Sequence, residues 1–206
     1  MQHRLVTFGA ILVAALCAST ARAGDFSSRF GYGISVPEVW QVLSQSEVAD
    51  NAGVFSGETP NDAMAGVPAS MREAVVDRIR AGELEIFYRR DGVTDGFVDN
   101  VNVMTQQTNL PSDRPQIDQL CRLLPAEFSR VFGRPIGMER CEVRERAARR
   151  ALYLQFDGAI PGTTTLQYQL QRQRGETLVL TATAADANLP RMLGEFEQMV
   201  ASIRLY

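Results

Sequence analysis

Lysine is missing from this chain of 206 residues, and all 21 of its basic residues are arginine. Without lysine there is no Schiff-base chemistry, no Walker-type phosphate loop and no lysine general base. Histidine is nearly as scarce, with His3 alone. Because His3 stands in a stretch that reads as an export signal, the processed domain is expected to hold no imidazole. Such a domain builds neither a Ser-His-Asp or Cys-His nucleophile pair nor a histidine-bearing zinc site. Paired carboxylates stay open to a protein without histidine, yet no pattern in the sequence singles out such a pair. Also absent is a second apolar run that reaches the roughly 20 residues a bilayer span needs.

The N-terminal stretch places His3 and Arg4 before an apolar run from Leu5 to Ala18, then Ala21-Arg22-Ala23. A charged start, a short apolar core and small residues at −3 and −1 are the marks of a cleavable secretory signal, with cleavage expected after Ala23. A lipid-anchor alternative would modify Cys17, but Leu16 occupies the preceding place where a small residue is wanted. Cleavage leaves residues 24–206 as a single domain, periplasmic or secreted, large enough for a real core. That domain carries 19 arginines against 24 acidic residues, a net charge of −5. The balance argues against wholesale nucleic-acid binding.

Cleavage also removes Cys17, so Cys121 and Cys141 remain. An even pair in an exported domain, at a spacing unlike CxxC, reads as a disulfide. Local patterns agree. Ile117, Leu120, Leu124, Phe128 and Val131 trace a helical face that includes Cys121. In Glu139-Arg-Cys-Glu-Val-Arg144, alternation sets Cys141 and Val143 on one side. Both sulfurs are expected in the core, helix to strand, with the bridge worth about 3 kcal/mol.

Along the chain, residues 30–37 read as a strand ending at Pro37. Trp40 lies in a short return, and a partner strand is expected near Val54-Phe55-Ser56. Residues 57–66 are breaker-rich and read as a loop. A helix is expected over 68–81 with Gly82 past its end, and a strand over 83–89. Residues 91–99 read as a turn-rich connector, followed by a strand from Asn100 to Gln106. A cysteine-bearing helix is expected from about Asp113 to Phe132, closed by Gly133. Strands at 138–146, 149–157, 164–173 and 176–184 follow, joined by turns short enough to require antiparallel neighbours. A closing amphipathic helix over 189–203 sets Leu189, Met192, Leu193, Phe196, Met199, Val200 and Ile203 on one side. The fold class is α+β: a meandering antiparallel sheet of about six or seven strands with helices packed over it.

The opening Gly31-Tyr-Gly-Ile-Ser-Val-Pro-Glu-Val-Trp40, the segment Phe97-Val-Asp-Asn-Val-Asn-Val103 and the strand Thr177-Leu-Val-Leu-Thr-Ala-Thr183 before a final helix resemble the PsbP/Mog-like family, including bacterial exported DcrB-like members. The resemblance covers most of residues 29–205 and implies an α/β/α sandwich. It implies binding or assembly modules without a catalytic set. The signal and the cysteine pair depart from the cytosolic chaperones of that family, which weakens transfer of their role.

Several surface features carry functional readings. Arg140, Arg144, Arg146, Arg149 and Arg150 gather around one hairpin, with Arg134 before it. Their guanidinium groups suit a carboxylate-rich partner or lipid headgroups, against the plainer reading of a solvated tip balanced by Glu139, Glu142 and Glu145. Gln155, Gln167, Gln169 and Gln171 are read as lying opposite the apolar set Leu152, Leu154, Leu166, Tyr168 and Leu170. A neutral polar sheet face takes a protein partner without the desolvation cost of charge. Asp91, Asp95 and Asp99 recur every four residues, but EF-hand spacing is lacking, so a solvated turn is the preferred reading over a cation loop. No cofactor or metal is expected. The resulting expectation is a non-enzymatic exported module that binds another envelope or secreted protein, as an envelope assembly or secretion-related factor. The alternatives are a periplasmic immunity protein against a secreted toxin and a small-ligand or lipid carrier with an apolar pocket near Trp40, Phe55 and Phe97.

Overall fold

A computed structural model describes residues 24–50, 69–94, 97–146 and 149–206. The expected signal, the strand near Val54-Phe55-Ser56, the loop 57–66 and Asp95 lie outside the described residues.

Among the described residues there are ten strands, arranged in two sheets, and four α-helices. The small sheet holds β1 (Gly24–Ser27), β2 (Tyr32–Val36) and β10 (Arg204–Leu205) in the order β1-β2-β10. The large sheet holds β3 (Trp40–Leu43), β4 (Glu85–Thr94), β5 (Phe97–Gln106), β6 (Met138–Arg146), β7 (Arg149–Asp157), β8 (Thr163–Gln173) and β9 (Glu176–Ala185). Its seven strands run β3-β4-β5-β9-β8-β7-β6, every neighbouring pair antiparallel. The helices are α1 (Gln45–Asp50), α2 (Ala69–Arg80), α3 (Arg114–Phe132) and α4 (Leu189–Ala201). Among the described residues no helix is long and apolar enough to cross a membrane.

Alternation along each strand sorts side chains between the two faces of the large sheet. One face presents Phe87, Val101, Leu180, Leu166 and Tyr168, and α4 packs on it with Met192, Phe196, Met199 and Val200. The small sheet joins this core through Tyr32 and Ile34. On the other face there are two separate apolar clusters. Val76 and Ile79 of α2 cover Leu43 and Ile86 at one end, while Ile117, Leu120 and Leu124 of α3 cover Leu152, Leu154 and Phe156 at the other.

The helix signals are met at α3. Asp113 accepts the Gln116 backbone N–H at 2.8 Å, and Gly133 takes φ 67°, the left-handed cap that closes the helix. Cys121 on α3 is bonded to Cys141 on β6, with the Cα atoms 5.7 Å apart. This pins the helix to the last strand of the sheet.

Three expectations need correction. Trp40, expected in a short return, opens β3 in the large sheet beside β4, while β2 pairs with β1 and β10, so Pro37 separates two sheets. The connector expected at 91–99 is a hairpin: β4 runs on to Thr94, β5 starts at Phe97, and the register shifts between Tyr88 and Val93. The bulge accommodates residues whose composition resembles a loop. On α4, Leu193 is 36% exposed although it was placed on the apolar side. It sits at the edge of the buried stripe of Met192, Phe196 and Met199.

Candidate functional site

Three rows of side chains run across the helix-α2/α3 face, each read from the strand registers. The middle row runs Leu43, Ile86, Asn102, Thr181, Gln167, Leu154 and Cys141. Beside it runs Gln41, Tyr88, Asn100, Thr183, Thr165 and Phe156, and on the other side Met104, Val179, Gln169, Leu152 and Val143. Each row is mainly apolar where α2 or α3 covers it. Between the helices, on β5, β9 and β8, the side chains are mainly neutral and polar. Asn100, Asn102, Thr181, Thr183, Gln167 and Gln169 are half-buried there.

Those side chains are partly bonded to one another. Gln169 Nε2 donates to Gln167 Oε1 at 2.7 Å, and Gln167 Nε2 donates to Thr181 Oγ1 at 2.9 Å. Asn102 Nδ2 donates to Asn100 Oδ1 at 3.2 Å. The side-chain oxygens of Asn102 and Gln169 accept no hydrogen bond from a described residue. This trough therefore offers amide and hydroxyl groups on the central strands of a rigid sheet, with no charged side chain in the rows between the helices.

Of the glutamines singled out by sequence, the structure brings Gln167 and Gln169 together in the trough and separates the other two. Gln155 is buried on the opposite face, where Tyr153 donates to its Oε1 at 3.2 Å and its Nε2 donates to Glu139. Gln171 shares the trough face but is spent on local structure. Its Oε1 accepts from the Leu110 backbone N–H at 2.8 Å, and its Nε2 donates to the carbonyls of Gln173 and Glu176. The expected division of glutamines from leucines also fails on β7. Register pairs Tyr153 with Tyr168 and Leu154 with Gln167, so Leu152 and Leu154 share the face of Gln167 and Gln169. Both faces of β7 are buried, and a strand covered twice loses the alternation that would have fixed its orientation.

The arginines are divided as well. The Arg144 guanidinium stacks on the Tyr153 ring at 3.4 Å and donates to the Tyr168 hydroxyl, Glu197 and Glu142 at 2.8–2.9 Å. Arg146 donates to the other oxygen of Glu197 at 2.9 Å. These two arginines bind β6 to α4. Burial and the hydrogen bond to Glu197 push the Tyr168 hydroxyl up to about 12. Arg140 is exposed with Glu139 3.9 Å away, and Arg149 is exposed without an ion pair to a described residue. Arg150 is exposed and donates from Nη1 to the Ser112 carbonyl at 2.9 Å. Arg134 donates to the Gly158 carbonyl at 2.5 Å.

Three titratable groups outside the trough are buried against partners: Glu85, Asp99 and Arg89. Ser28 and Tyr32 donate hydroxyl hydrogens to Glu85 at 2.6–2.9 Å, and burial raises the Glu85 carboxyl above its ordinary value. A serine, a tyrosine and a carboxylate together have the parts of a nucleophile and its base. All three are buried. Asp91 pairs with Arg89, while Asp99 accepts the Ala185 N–H and pairs with Arg191. Among the described residues no group of three or more metal-ligating side chains gathers. Trp40, placed in the carrier alternative, is buried in the core and donates from Nε1 to Glu195 at 2.8 Å.

Sequence reasoning missed Asn100, Asn102, Thr181 and Thr183. Their signal was present in Asn100-Val-Asn-Val103 and Thr181-Ala-Thr183, where each polar residue alternates with a small apolar one. Only the pairing of β5 with β9 shows that these residues share a face with Gln167.

No protein-family model matches the sequence, and no curated protein matches it. Among solved structures, the chain is similar to cyanobacterial PsbP from Synechocystis sp. PCC 6803, with a TM-score of 0.53 and 13% identity over 95% of this chain and 99% of that one. It is also similar to LpqN of Mycobacterium tuberculosis, described as involved in cell envelope biogenesis, with a TM-score of 0.48 and 11% identity over 84% and 82% of the chains. The Ran-binding protein Mog1p of Saccharomyces cerevisiae follows with a TM-score of 0.47 and 7% identity over 89% and 96%. The fold of this chain is that of PsbP.

Proposed function

We propose that this chain is an exported, non-enzymatic binding module that takes another envelope or secreted protein in the trough between α2 and α3. The observation that carries this reading is the middle row of the sheet face: apolar under each helix, and amide and hydroxyl at Asn102, Thr181 and Gln167 between them. A partner docked there trades solvent hydrogen bonds for bonds to neutral groups, which costs far less than burying a charge. Central strands hold these groups in place before the partner arrives, so little ordering entropy is lost on binding. The export features of the sequence and the cysteine pair support a location outside the cytoplasm.

The reading is tested by capturing partners from the native envelope with the purified protein and with Gln167→Glu. That substitution keeps the shape and places a carboxylate in the trough. One defined partner retained by the wild type and lost by the variant is the expected result. Equal recovery by both proteins, or no partner above an unrelated disulfide-bonded control domain, contradicts it.

A further inference from the structure

Past the trough, toward β6, the same sheet face ends in a cavity of about 270 Å³ whose lining includes Leu110, Ile117, Val143, Leu152 and Arg150. Ile117 and Leu152 are buried, but Val143 on the last strand of the sheet is 39% exposed, a large apolar side chain left open at the cavity. Gln171 also lines the cavity, and its amide is already committed to Leu110, Gln173 and Glu176, so it acts as wall. Arg150 is different. One of its N–H groups holds the Ser112 carbonyl at 2.9 Å, and the guanidinium makes no ion pair with a described residue. Glu145 stands opposite Arg150 in register, exposed and likewise without an ion pair to a described residue.

An apolar cavity with one cation is complementary to a molecule with an apolar tail and one negative charge. The planar fork of arginine matches a carboxylate, with two parallel N–H···O bonds. At about 270 Å³ the cavity lies just below the usual range for ligand sites, which limits the ligand to a single tail of modest length. We propose that this cavity binds a medium-chain fatty acid, with the carboxylate on Arg150 and the tail against Ile117, Val143 and Leu152. The site uses none of the trough residues, so it stands or falls separately from the protein-partner reading.

Octanoate, octanol and octyltrimethylammonium are titrated into the purified protein, followed by calorimetry and by the methyl resonances of Val143, Ile117 and Leu152. Octanoate is expected to saturate and to shift those methyl groups, binding about ten-fold or more tightly than octanol, with the cation weakest. Arg150→Gln should lower octanoate affinity by about ten-fold and leave octanol unchanged. Arg150→Lys, which keeps the charge without the fork, should fall between the two, and it keeps the test valid if Arg150→Gln fails to fold. Equal affinity for octanoate and octanol, methyl shifts elsewhere in the protein, or no saturation below about 10 mM would overturn the assignment.

Discussion

Gln167 donates from its side-chain amide to the hydroxyl of Thr181, 2.9 Å away, joining β8 to β9 by an uncharged bond on a half-buried face. Both residues retain hydrogen-bonding capacity beyond this contact. In Gln167→Glu the carboxylate can accept from the Thr181 hydroxyl and from Gln169, so the fold has no reason to fail. Thermal unfolding should shift by no more than the equivalent of about 1 kcal/mol. A much larger loss would mean that the trough side chains serve the fold and not a partner.

Arg144→Ala should be among the most damaging substitutions at the surface. It removes the stacking on Tyr153 and the hydrogen bond to the Tyr168 hydroxyl, and leaves Glu197 with Arg146 alone. Breaking a partly buried network of this kind costs about 2–4 kcal/mol. Arg149→Ala, which removes an exposed side chain with no ion pair to a described residue, should cost less than about 0.5 kcal/mol. Denaturant unfolding of the two variants side by side checks this. Similar losses would contradict the division of the arginines into structural and exposed groups.

The bond between Cys121 and Cys141 closes a loop of 20 residues between α3 and β6. Replacing both cysteines by alanine should lower stability by about 3 kcal/mol, chiefly by freeing the unfolded chain. The reduced wild type should unfold at the same denaturant concentration as the double variant. A wild type that is indifferent to reductant would argue against the bridge.

The burial of Glu85 sets the sign of a pH dependence of stability. Burial raises its carboxyl in the folded state above the ordinary 4.5, so the folded protein holds that proton more tightly than the unfolded chain does. The protonated form folds without the penalty. Stability should therefore fall as pH rises from about 4.5 through the raised value, and then level off. Glu85→Gln should lose that part of the slope and keep the remainder, to which the buried Asp99 contributes in the same direction. Unfolding free energies measured across this range in both proteins test the sign, and an unchanged slope in the variant contradicts it.

Local signals carried much of the fold. Asp113 and Gly133 mark the ends of α3 in the sequence because capping is settled within one turn of chain. The strands from Met138 to Ala185 are legible because short turns such as Arg174-Gly175, with Gly175 at φ 82°, leave only antiparallel neighbours possible. What could not be read was set by pairing across long sequence distances. Whether Gln155 or Leu154 faces Gln167 depends on a register in which Tyr153 meets Tyr168, and β7 is buried on both sides. The hairpin at Asp91 to Asp99 looked like a connector because its bulge tolerates turn residues. The arginine cluster could not be divided from sequence, since the residue that takes up Arg144 and Arg146 is Glu197, some 50 positions away on α4.

The trough is tested most directly by placing a photo-crosslinking side chain at Gln167, at Asn102 and, as a control, at Glu127 on the exposed side of α3, then irradiating cells that produce the protein. Binding in the trough predicts one crosslinked partner of the same mass from Gln167 and Asn102, and none from Glu127. Crosslinks of equal yield at all three positions, or none to another protein from either trough position, would contradict it.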